Sequence, residues 1–338
     1  MVQFFDLSAL RVRLLDQAGG EKFSYPVTPE RAVSSFRLCL ALNGTNRMQN
    51  VEEVERLRSR LFTLAYRMLG SRQEAEDAVQ EAYLRWHRAE SGEIRSVEAW
   101  LVTVVTRLCV DRLRVLQAER QKYVGPWLPE PLVAVEHGPD LALELASDLS
   151  MALLVVLQRL SAEERAGFLM HDVFDCDYAD VAAALGKSEA ACRQLVHRAR
   201  KRVRSDNPRF EVSGAAHKQL VERYVLAVQE RDADRIAELL MPDASFVSDG
   251  GGKTWAALRP VIGAGRIARM EVGVLAKLPQ AFVLEVADVN GRAGAIGRVD
   301  GRIHAVTSFE TTTEKISGIM RVLNPEKLHH QFRSSELL

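Results

Sequence analysis

The chain has 338 residues, of which 47% are hydrophobic, and this length predicts two or three domains with packed cores. Its 45 Lys and Arg residues balance its 45 Asp and Glu residues, so only local segregation of charge can point to a partner. No apolar run approaches the ~20 residues that span a bilayer, and the four cysteines lack the C-x-x-C spacing of metal or redox sites. We therefore expect a cytoplasmic protein without a membrane segment, a metal or a cofactor.

Residues 1–47 carry no sustained hydrophobic period and contain turn signals such as Gly19-Gly20. We expect either a disordered arm or a misassigned start, with Met48 as the natural first residue. Terminal sequencing of protein from the native host distinguishes the two, since a peptide that reaches upstream of Met48 excludes the second.

Residues 48–122 are predicted to form a first domain that is helical throughout. Its apolar residues recur at spacings of three and four, beginning with Leu57, Leu61, Leu64, Ala65 and Met68. Gly70 is expected to end one helix, and Ser71 to cap the next in a capping box with Glu74. A loop over residues 90–97 then precedes a long helix from about Val97 to Lys122.

The stretch from Glu74 to Glu81 contains four acidic residues and no basic one. On a helix, Asp77, Gln80 and Glu81 share one face. A solvated acidic face is the ordinary interpretation of such a pattern, and it would repel DNA. The apolar Val79 beside these residues favours instead a face that docks on another protein.

The helix over residues 97–122 is the first candidate for contact with DNA. Trp100 anchors its start, and its basic residues include Arg107, Arg112 and Arg114. A basic helix beside an aromatic residue and a loop suits opened, single-stranded DNA. This pattern is not specific to DNA-binding proteins. The interpretation as a DNA-binding helix is supported by a second DNA-binding signal further along the chain.

Residues 123–139 are predicted to be a linker. Pro126, Pro129 and Pro131 force an extended path because each proline also restricts the residue before it. A solvated linker would leave the large apolar side chain of Trp127 exposed to water, so we expect it to dock on another part of the chain.

Residues 140–206 are predicted to form a second helical domain that ends in a helix-turn-helix. Its first helix spans residues 178–185, Gly186 makes the turn, and Ser188 caps the second helix. Four residues on one face of that second helix are candidates for reading base edges in the major groove, namely Arg193, Gln194, His197 and Arg198. Phosphate contacts are expected from Arg200, Lys201, Arg202 and Arg204. A solvated basic helix at the end of a bundle is the alternative, but turn, cap and basic face coincide here.

In residues 214–330 the helical pattern gives way to a mixture of helix and strand patterns, which predicts a separate α+β domain. Helices are followed by a short strand over residues 244–248, more helix to about Leu278 and a β-meander. The dipeptides Asn290-Gly291 and Asp300-Gly301 are strong signals for hairpin turns.

A glycine-rich segment of this domain consists of Asp249, Gly250, Gly251, Gly252 and Lys253. It resembles the end of a phosphate-binding loop, but that motif requires glycine at the position of Val247. We expect a loop whose backbone approaches a partner closely, and the linker with Trp127 and Pro129 is the partner that we favour.

Three segments carry a family resemblance: residues 64–88, 99–114 and 177–204. Together they resemble regions 2 and 4 of the extracytoplasmic-function group of the sigma-70 family of bacterial transcription initiation factors. The likeness runs from about residue 51 to 205. It implies core RNA polymerase, through its β′ and β subunits, and promoter DNA as partners.

The resemblance also assigns roles to the candidate residues. It implies that Asp77, Gln80 and Glu81 dock on the clamp helices of the β′ subunit. It further implies that the loop over residues 90–97 and the helix with Trp100, Arg107, Arg112 and Arg114 capture and melt the −10 element. The four base-reading residues of the helix-turn-helix would read the −35 element. Arg107 departs from the family pattern, in which many members carry Asn.

Three further motifs resemble the marks of a subgroup with a fused SnoaL-like domain: WLPEP at 127–131, DGGGK at 249–253 and NPEKL at 324–328. That domain has the cone-shaped fold of the nuclear-transport-factor-2 type, and in this subgroup it is taken to replace a separate anti-sigma protein and to modulate activity in cis. The expected fold class is therefore two all-α helical DNA-binding domains followed by an α+β SnoaL-like cone.

The residues leave two other functions open. A stand-alone helix-turn-helix regulator with a ligand-sensing SnoaL-like domain would bind duplex DNA alone and make no use of the acidic face. A cavity enzyme with a DNA-binding arm would need paired polar groups aimed inward, and Asp243, Asp249 and His304 form no persuasive dyad. We expect a sigma factor that is not an enzyme, with a small ligand of its C-terminal domain left open.

Overall fold

The computed structural model describes residues 45–89, 96–133, 150–206, 213–279 and 281–329. The chain divides into two compact units, residues 1–57 and residues 58–338. The expectations for residues 1–44, for the loop before Ser96 and for a helix starting near Asp140 lie outside the described residues. Within the described ranges, no helix is both long and apolar enough to cross a membrane.

The first helical domain consists of α1 (Thr45–Leu69), α2 (Arg72–Arg88) and α3 (Val97–Arg120). Helix α1 begins upstream of Val51, the residue from which the hydrophobic period predicts helix. It ends at Leu69 because Gly70 adopts a left-handed conformation with φ of 70°.

The capping box predicted for Ser71 and Glu74 is not formed, and this prediction is wrong. The Ser71 hydroxyl donates to Oε2 of Glu130 in the linker at 3.0 Å. The backbone N–H of Arg72 donates to the same oxygen at 2.9 Å, so a distant carboxylate caps α2. Glu74 instead binds Arg112 of α3, with two N–O distances of 2.6 Å.

The second helical domain contains α4 (Met151–Gln158), α5 (Ala162–Phe168), a π-helical turn (Leu169–Val173), α6 (Tyr178–Leu185) and α7 (Glu189–Asp206). Helices α6 and α7 form the predicted helix-turn-helix. Gly186 ends α6 with φ of 63°, and the Ser188 hydroxyl caps α7 by accepting a bond from the Ala191 N–H at 3.3 Å. The two helical domains touch through a buried contact, in which the Arg165 guanidinium donates to the Met68 carbonyl at 2.5 Å.

The C-terminal domain combines helices with one sheet, which confirms the predicted α+β class. Its helices are α8 (Gly214–Gln229), α9 (Ala233–Leu239), α10 (Ala264–Leu275) and α11 (Pro325–His329). Its strands are β1 (Leu240–Asp249), β2 (Val261–Ile262), β3 (Phe282–Val289), β4 (Arg292–Val299), β5 (Arg302–Thr311) and β6 (Ile316–Val322). The order across the sheet is β2-β1-β6-β5-β4-β3, with β1 parallel to β6. Asn290 and Asp300, with φ of 56° and 50°, make the predicted hairpin turns.

Both faces of the sheet are covered. On one face, Phe246, Phe309 and Ile319 pack with residues of α8, α9 and α10. The other face packs against the linker and α4 in one cluster of buried residues: Leu128, Val133, Met151, Val289, Ile296, Val306, Met320, Val322 and Leu328. Removing each large apolar side chain from water contributes about 1.5–3 kcal/mol, so the linker belongs to the packed core.

Candidate functional site: nucleic-acid interface and interdomain clamp

The acidic face predicted to dock on polymerase lies on α2. Asp77 and Gln80 are exposed, and Glu81 is half-buried. Partial burial and the charges of Glu74 and Glu76 raise the pKa of the Asp77 carboxyl. The carboxylates are therefore close enough to repel one another, and a basic protein surface would relieve that repulsion.

Arg107 on α3 binds the end of the first helix of the helix-turn-helix. Its guanidinium donates to the carbonyl oxygens of Ala183 at 2.6 Å and Ala184 at 3.1 Å, in the last turn of α6. Carbonyls at a helix C-terminus carry partial negative charge and lack partners within the helix. In this arrangement, the second helical domain therefore holds an arginine that is predicted to face the −10 element.

The other residues predicted to face the −10 element also lie on α3. Trp100 is half-buried, and Arg112 is held by its pair with α2. Arg114 binds Glu163 of α5 at 3.2 Å, and Lys187 in the turn of the helix-turn-helix binds the same carboxylate at 3.2 Å. Glu163 thus joins α3 to the helix-turn-helix.

The face of α7 predicted to read bases is exposed to solvent. It carries Arg193, Gln194, His197 and Arg198. The Arg193 guanidinium lies 5.1 Å from the centre of the Tyr178 ring and binds Glu189 at 2.7 Å. These two contacts orient its donors before any DNA is bound.

The residues predicted to contact phosphates differ in their surroundings. Lys201 is exposed, whereas Arg200 forms a bidentate pair with Asp172 at 2.6 and 2.5 Å. The hydrogen bonds to Asp172 raise the pKa of Arg200. Arg202 binds Glu164 at 2.6 Å. Lys201 is therefore a better candidate for a phosphate contact than Arg200, which is engaged inside the domain.

Three sequence motifs meet at Asp249, the last residue of β1. Its Oδ1 accepts bonds from the Tyr123 hydroxyl at 2.5 Å and the Gly251 N–H at 3.1 Å. Its Oδ2 accepts bonds from the Leu128 N–H at 2.8 Å and the Lys327 ammonium at 2.6 Å. The carboxylate is fully buried, and these four donors replace the water that it has lost. We call the set of Tyr123, Trp127, Asp249, Asn324 and Lys327 the interdomain clamp.

Trp127 of the clamp lies between two cations. The centre of its ring is 3.7 Å from the Arg120 guanidinium and 3.8 Å from the Lys327 ammonium. Each such contact contributes about 0.5–2 kcal/mol, with the higher value for desolvated pairs. Burial lowers the pKa of Lys327 to about 8, although Asp249 opposes the shift. The neighbouring Pro129 is buried as well.

The clamp can close because the residues at positions 250 and 251 of the glycine-rich loop are glycines. Any side chain there would collide with its neighbours. Gly251 and Gly252 have φ of 60° and 70°. A Cβ on Gly251 would lie 2.4 Å from Nδ2 of Asn324, and one on Gly250 would lie 2.7 Å from Cβ of Ala256. Lys253, the last residue of the loop, binds Glu326 on α11.

A second attachment of the linker had no signal in the sequence. The Tyr66 hydroxyl donates to the Glu130 carbonyl at 2.5 Å, and Nδ2 of Asn290 donates to the Tyr66 oxygen at 2.9 Å. Asn290 also exchanges two bonds with the backbone of Leu132, at 2.7 and 3.0 Å. The turn residue that the sequence predicts is therefore also a contact between the C-terminal domain, the linker and α1.

A charge network fills the centre of the C-terminal domain. Glu271 accepts bonds from Arg321 at 2.9 and 3.0 Å and from the Tyr224 hydroxyl at 2.8 Å. The residues considered for a cavity enzyme lie elsewhere, since Asp243 is exposed and Asp249 belongs to the clamp. Over the residues that the structure describes, no group of three or more His, Cys, Asp or Glu side chains could hold a metal ion.

His217 of α8 gives the C-terminal domain an expected sensitivity to acid. Its Nε2–H donates to the Ala293 carbonyl at 2.8 Å, and Nδ1 lies 2.8 Å from the Thr311 hydroxyl. Burial lowers the pKa of His217 below its ordinary value of 6.5. The unfolded chain then binds more protons below about pH 6.5, so the free energy of unfolding falls as the pH drops. Melting temperatures between about pH 7.5 and 5 should fall more steeply for the wild type than for His217→Gln. Equal slopes would show that another group titrates.

The chain matches two family models, Sigma-70 region 2 over residues 54–119 and Sigma-70, region 4 over residues 150–203. The ECF RNA polymerase sigma factor SigJ of Mycobacterium tuberculosis is 40% identical over 291 residues, which cover 82% of this chain and 92% of that protein. A probable ECF RNA polymerase sigma factor of the same species, SigI, is 29% identical and covers 80% of this chain and 92% of that one.

A solved structure extends this likeness beyond the helical domains. The crystal structure of the extracytoplasmic function sigma factor SigJ of M. tuberculosis matches with a TM-score of 0.67 at 38% identity. The match covers 85% of this chain and 100% of that one, so it includes the C-terminal helix-and-sheet domain. The chain therefore belongs to the extracytoplasmic-function sigma factors of the sigma-70 family, which initiate transcription with RNA polymerase and are not enzymes, and it carries a C-terminal domain of the SnoaL-like type.

Proposed function

We propose that the two helical domains divide promoter recognition between them and that the C-terminal domain regulates both in cis. The proposed boundaries are residues 48–122 for region 2, 123–139 for the linker, 140–206 for region 4 and 214–330 for the regulatory domain. The observation that carries the proposal is the exposed face of α7, whose donors point outward in a helix-turn-helix of family geometry. The proposed place of action is the cytoplasm.

Region 2 is proposed to bind polymerase and the −10 element. Asp77, Gln80 and Glu81 form the docking face for the β′ subunit, supported by the exposure of Asp77 and Gln80 and by the repulsion between Asp77 and its acidic neighbours. The −10 element is assigned to α3, through four residues: Trp100, Arg107, Arg112 and Arg114. Region 4 is assigned to the −35 element and to the β subunit.

The contacts of Arg107 and Arg114 support regulation by closure. Both arginines bind the second helical domain, so contact with DNA would compete with these bonds. The interdomain clamp holds the linker between the two helical domains against the regulatory domain. Full use of these arginines on the promoter would therefore require that region 4 move away from α3, and the clamp contributes to the free energy of that movement through the linker.

Recognition by α7 is tested by comparing Arg193→Ala with Lys201→Ala. The −35 sequence that the holoenzyme prefers is first selected from random duplexes. Arg193→Ala should then cost about 1–3 kcal/mol on that duplex and relax the preference at one base position. Lys201→Ala should weaken all duplexes alike and reduce the slope of log K against log salt by about 1. An Arg193 variant that keeps the selected preference would exclude base reading by Arg193.

A further inference from the structure

The C-terminal domain has a basic surface that lies apart from the clamp. Between Lys253 and Lys277 the chain has five Lys and Arg residues and one acidic residue. The rest of residues 214–329 has ten Lys and Arg residues against thirteen Asp and Glu residues. The one acidic residue, Glu271, is buried and pairs with Arg321. Positive charge is therefore segregated on one part of the domain.

The exposed cations of this surface follow helix α10. They are Arg259, Arg266, Arg269 and Lys277. Arg266 and Arg269 lie three residues apart on one side of α10, and Lys277 follows in the turn after the helix ends at Leu275. In the part of the chain that the structure describes, Arg259, Arg266 and Arg269 form no ion pair.

An aromatic side chain stands beside these cations. Trp255 is 89% exposed and Leu258 is 64% exposed, which is unusual for such large apolar groups. The Lys277 ammonium lies 5.4 Å from the centre of the Trp255 ring. We call Trp255, Arg259, Arg266, Arg269 and Lys277 the α10 surface.

We propose that the α10 surface binds the sugar–phosphate backbone of duplex DNA, a third DNA contact that rests on the promoter binding of the proposed function. Arginine guanidinium groups form forked hydrogen bonds with phosphate oxygens, and a row of unpaired cations suits a linear array of phosphates. The exposed indole can pack on the deoxyribose between them. Such contacts add affinity and orient the domain without reading sequence.

The geometry favours DNA over a lipid surface. A helix that lies on a membrane inserts an exposed apolar face among the lipids. Ile267 and Ala268 of α10 are buried in the core of the domain, and Val274, at 39% exposed, is an isolated apolar side chain on the outer side of the helix. Helix α10 therefore presents no continuous apolar face that could insert among lipids. An acidic protein, including polymerase itself, is the remaining competitor, and the experiment separates it from DNA.

The test compares two full-length variants with the same loss of charge. The first is Arg259→Gln with Arg266→Gln and Arg269→Gln. The matched control is Lys218→Gln with Arg223→Gln and Arg302→Gln, three exposed cations elsewhere on the same domain. Fluorescence anisotropy measures binding to a non-specific duplex of about 30 base pairs at salt concentrations from about 50 to 200 mM. Equal melting temperatures establish that both variants are folded.

The α10 variant is expected to reduce the slope of log K against log salt by about 2–3, because each phosphate contact contributes about 0.9. The control should change it by less than about 1. Equal slopes for the two variants would overturn the proposal, as would a wild type that shows no salt-dependent binding. Weakened binding of core polymerase with an unchanged DNA slope would overturn it too and assign the surface to a protein. Failure of the proposed function would appear separately, as a wild-type chain that does not bind core polymerase.

Discussion

Replacing Asp77 and Glu81 by lysine is expected to abolish binding of the chain to core RNA polymerase. The double change replaces two negative charges by two positive ones, a change of four charge units on a face proposed to meet a basic partner, and like charges in an interface cost several kcal/mol. A loss of at least about 100-fold in affinity, or roughly 2.7 kcal/mol, should follow. Co-purification with core polymerase, followed by titration, measures it.

The control for this experiment carries the same change of charge on another domain. Glu222 and Glu238 are exposed on α8 and α9, and their replacement by lysine should leave polymerase binding unchanged. If the α2 variant binds as well as this control, the docking face has been assigned wrongly. If neither variant nor the wild type binds, the chain would be either a stand-alone regulator or a sigma factor whose polymerase-binding face is covered by its own C-terminal domain. We call the second case a masked factor. The clamp variant Asp249→Asn then distinguishes these two, since only a masked factor gains binding.

Asp249→Asn is expected to loosen the attachment of the linker to the C-terminal domain more than any other single change in the clamp. The amide is nearly the same size as the carboxylate, but it leaves the ammonium of Lys327, whose side chain is only 12% exposed, without its counter-charge. Breaking one side of a buried ion pair typically costs about 3–5 kcal/mol. Denaturant unfolding should show this loss, and hydrogen exchange of the Leu128 N–H, which donates to Asp249, should accelerate.

Two further variants make the result specific to the clamp. Lys253→Gln breaks an exposed ion pair with Glu326 and should cost about 0–1 kcal/mol. Adding Lys327→Met to Asp249→Asn removes the unpaired charge and should recover part of the loss, which a double-mutant cycle quantifies. An Asp249→Asn protein as stable as the Lys253→Gln protein would show that the pair does not hold the linker.

Features set by neighbouring residues could be predicted from the sequence. The turn at Gly186, the cap at Ser188 and the hairpin at Asn290 depend on local backbone preferences, and the structure has all three. The family could be identified because its acidic and basic segments occur in a fixed order. The predicted roles of individual residues in docking and DNA binding remain predictions.

Features set by distant residues could not be predicted in this way. Local rules paired Ser71 with Glu74, but the cap comes from Glu130, which is 59 residues away from Ser71. Asp249 selects Lys327 as its partner, 78 residues further on, although Lys253 is much nearer in the chain. Arg107 reaches a carbonyl 76 residues away. Such pairings depend on how whole domains pack together, and the periodicity of the sequence carries no information about that packing.

The linker has a mechanical consequence for the helix that carries Asp77. Leu128 donates to the regulatory domain, and Glu130, one residue beyond Pro129, caps the start of α2. A movement of Asp249, at the end of β1, would therefore displace Leu128 and, through Pro129, would act on Glu130 at the first turn of α2. The Tyr66 hydroxyl and the Gly70 carbonyl hold the backbone of Glu130 independently of Asp249. A release of Asp249 would therefore free Leu128 first, and α2 would lose its cap only if Glu130 also left these two partners.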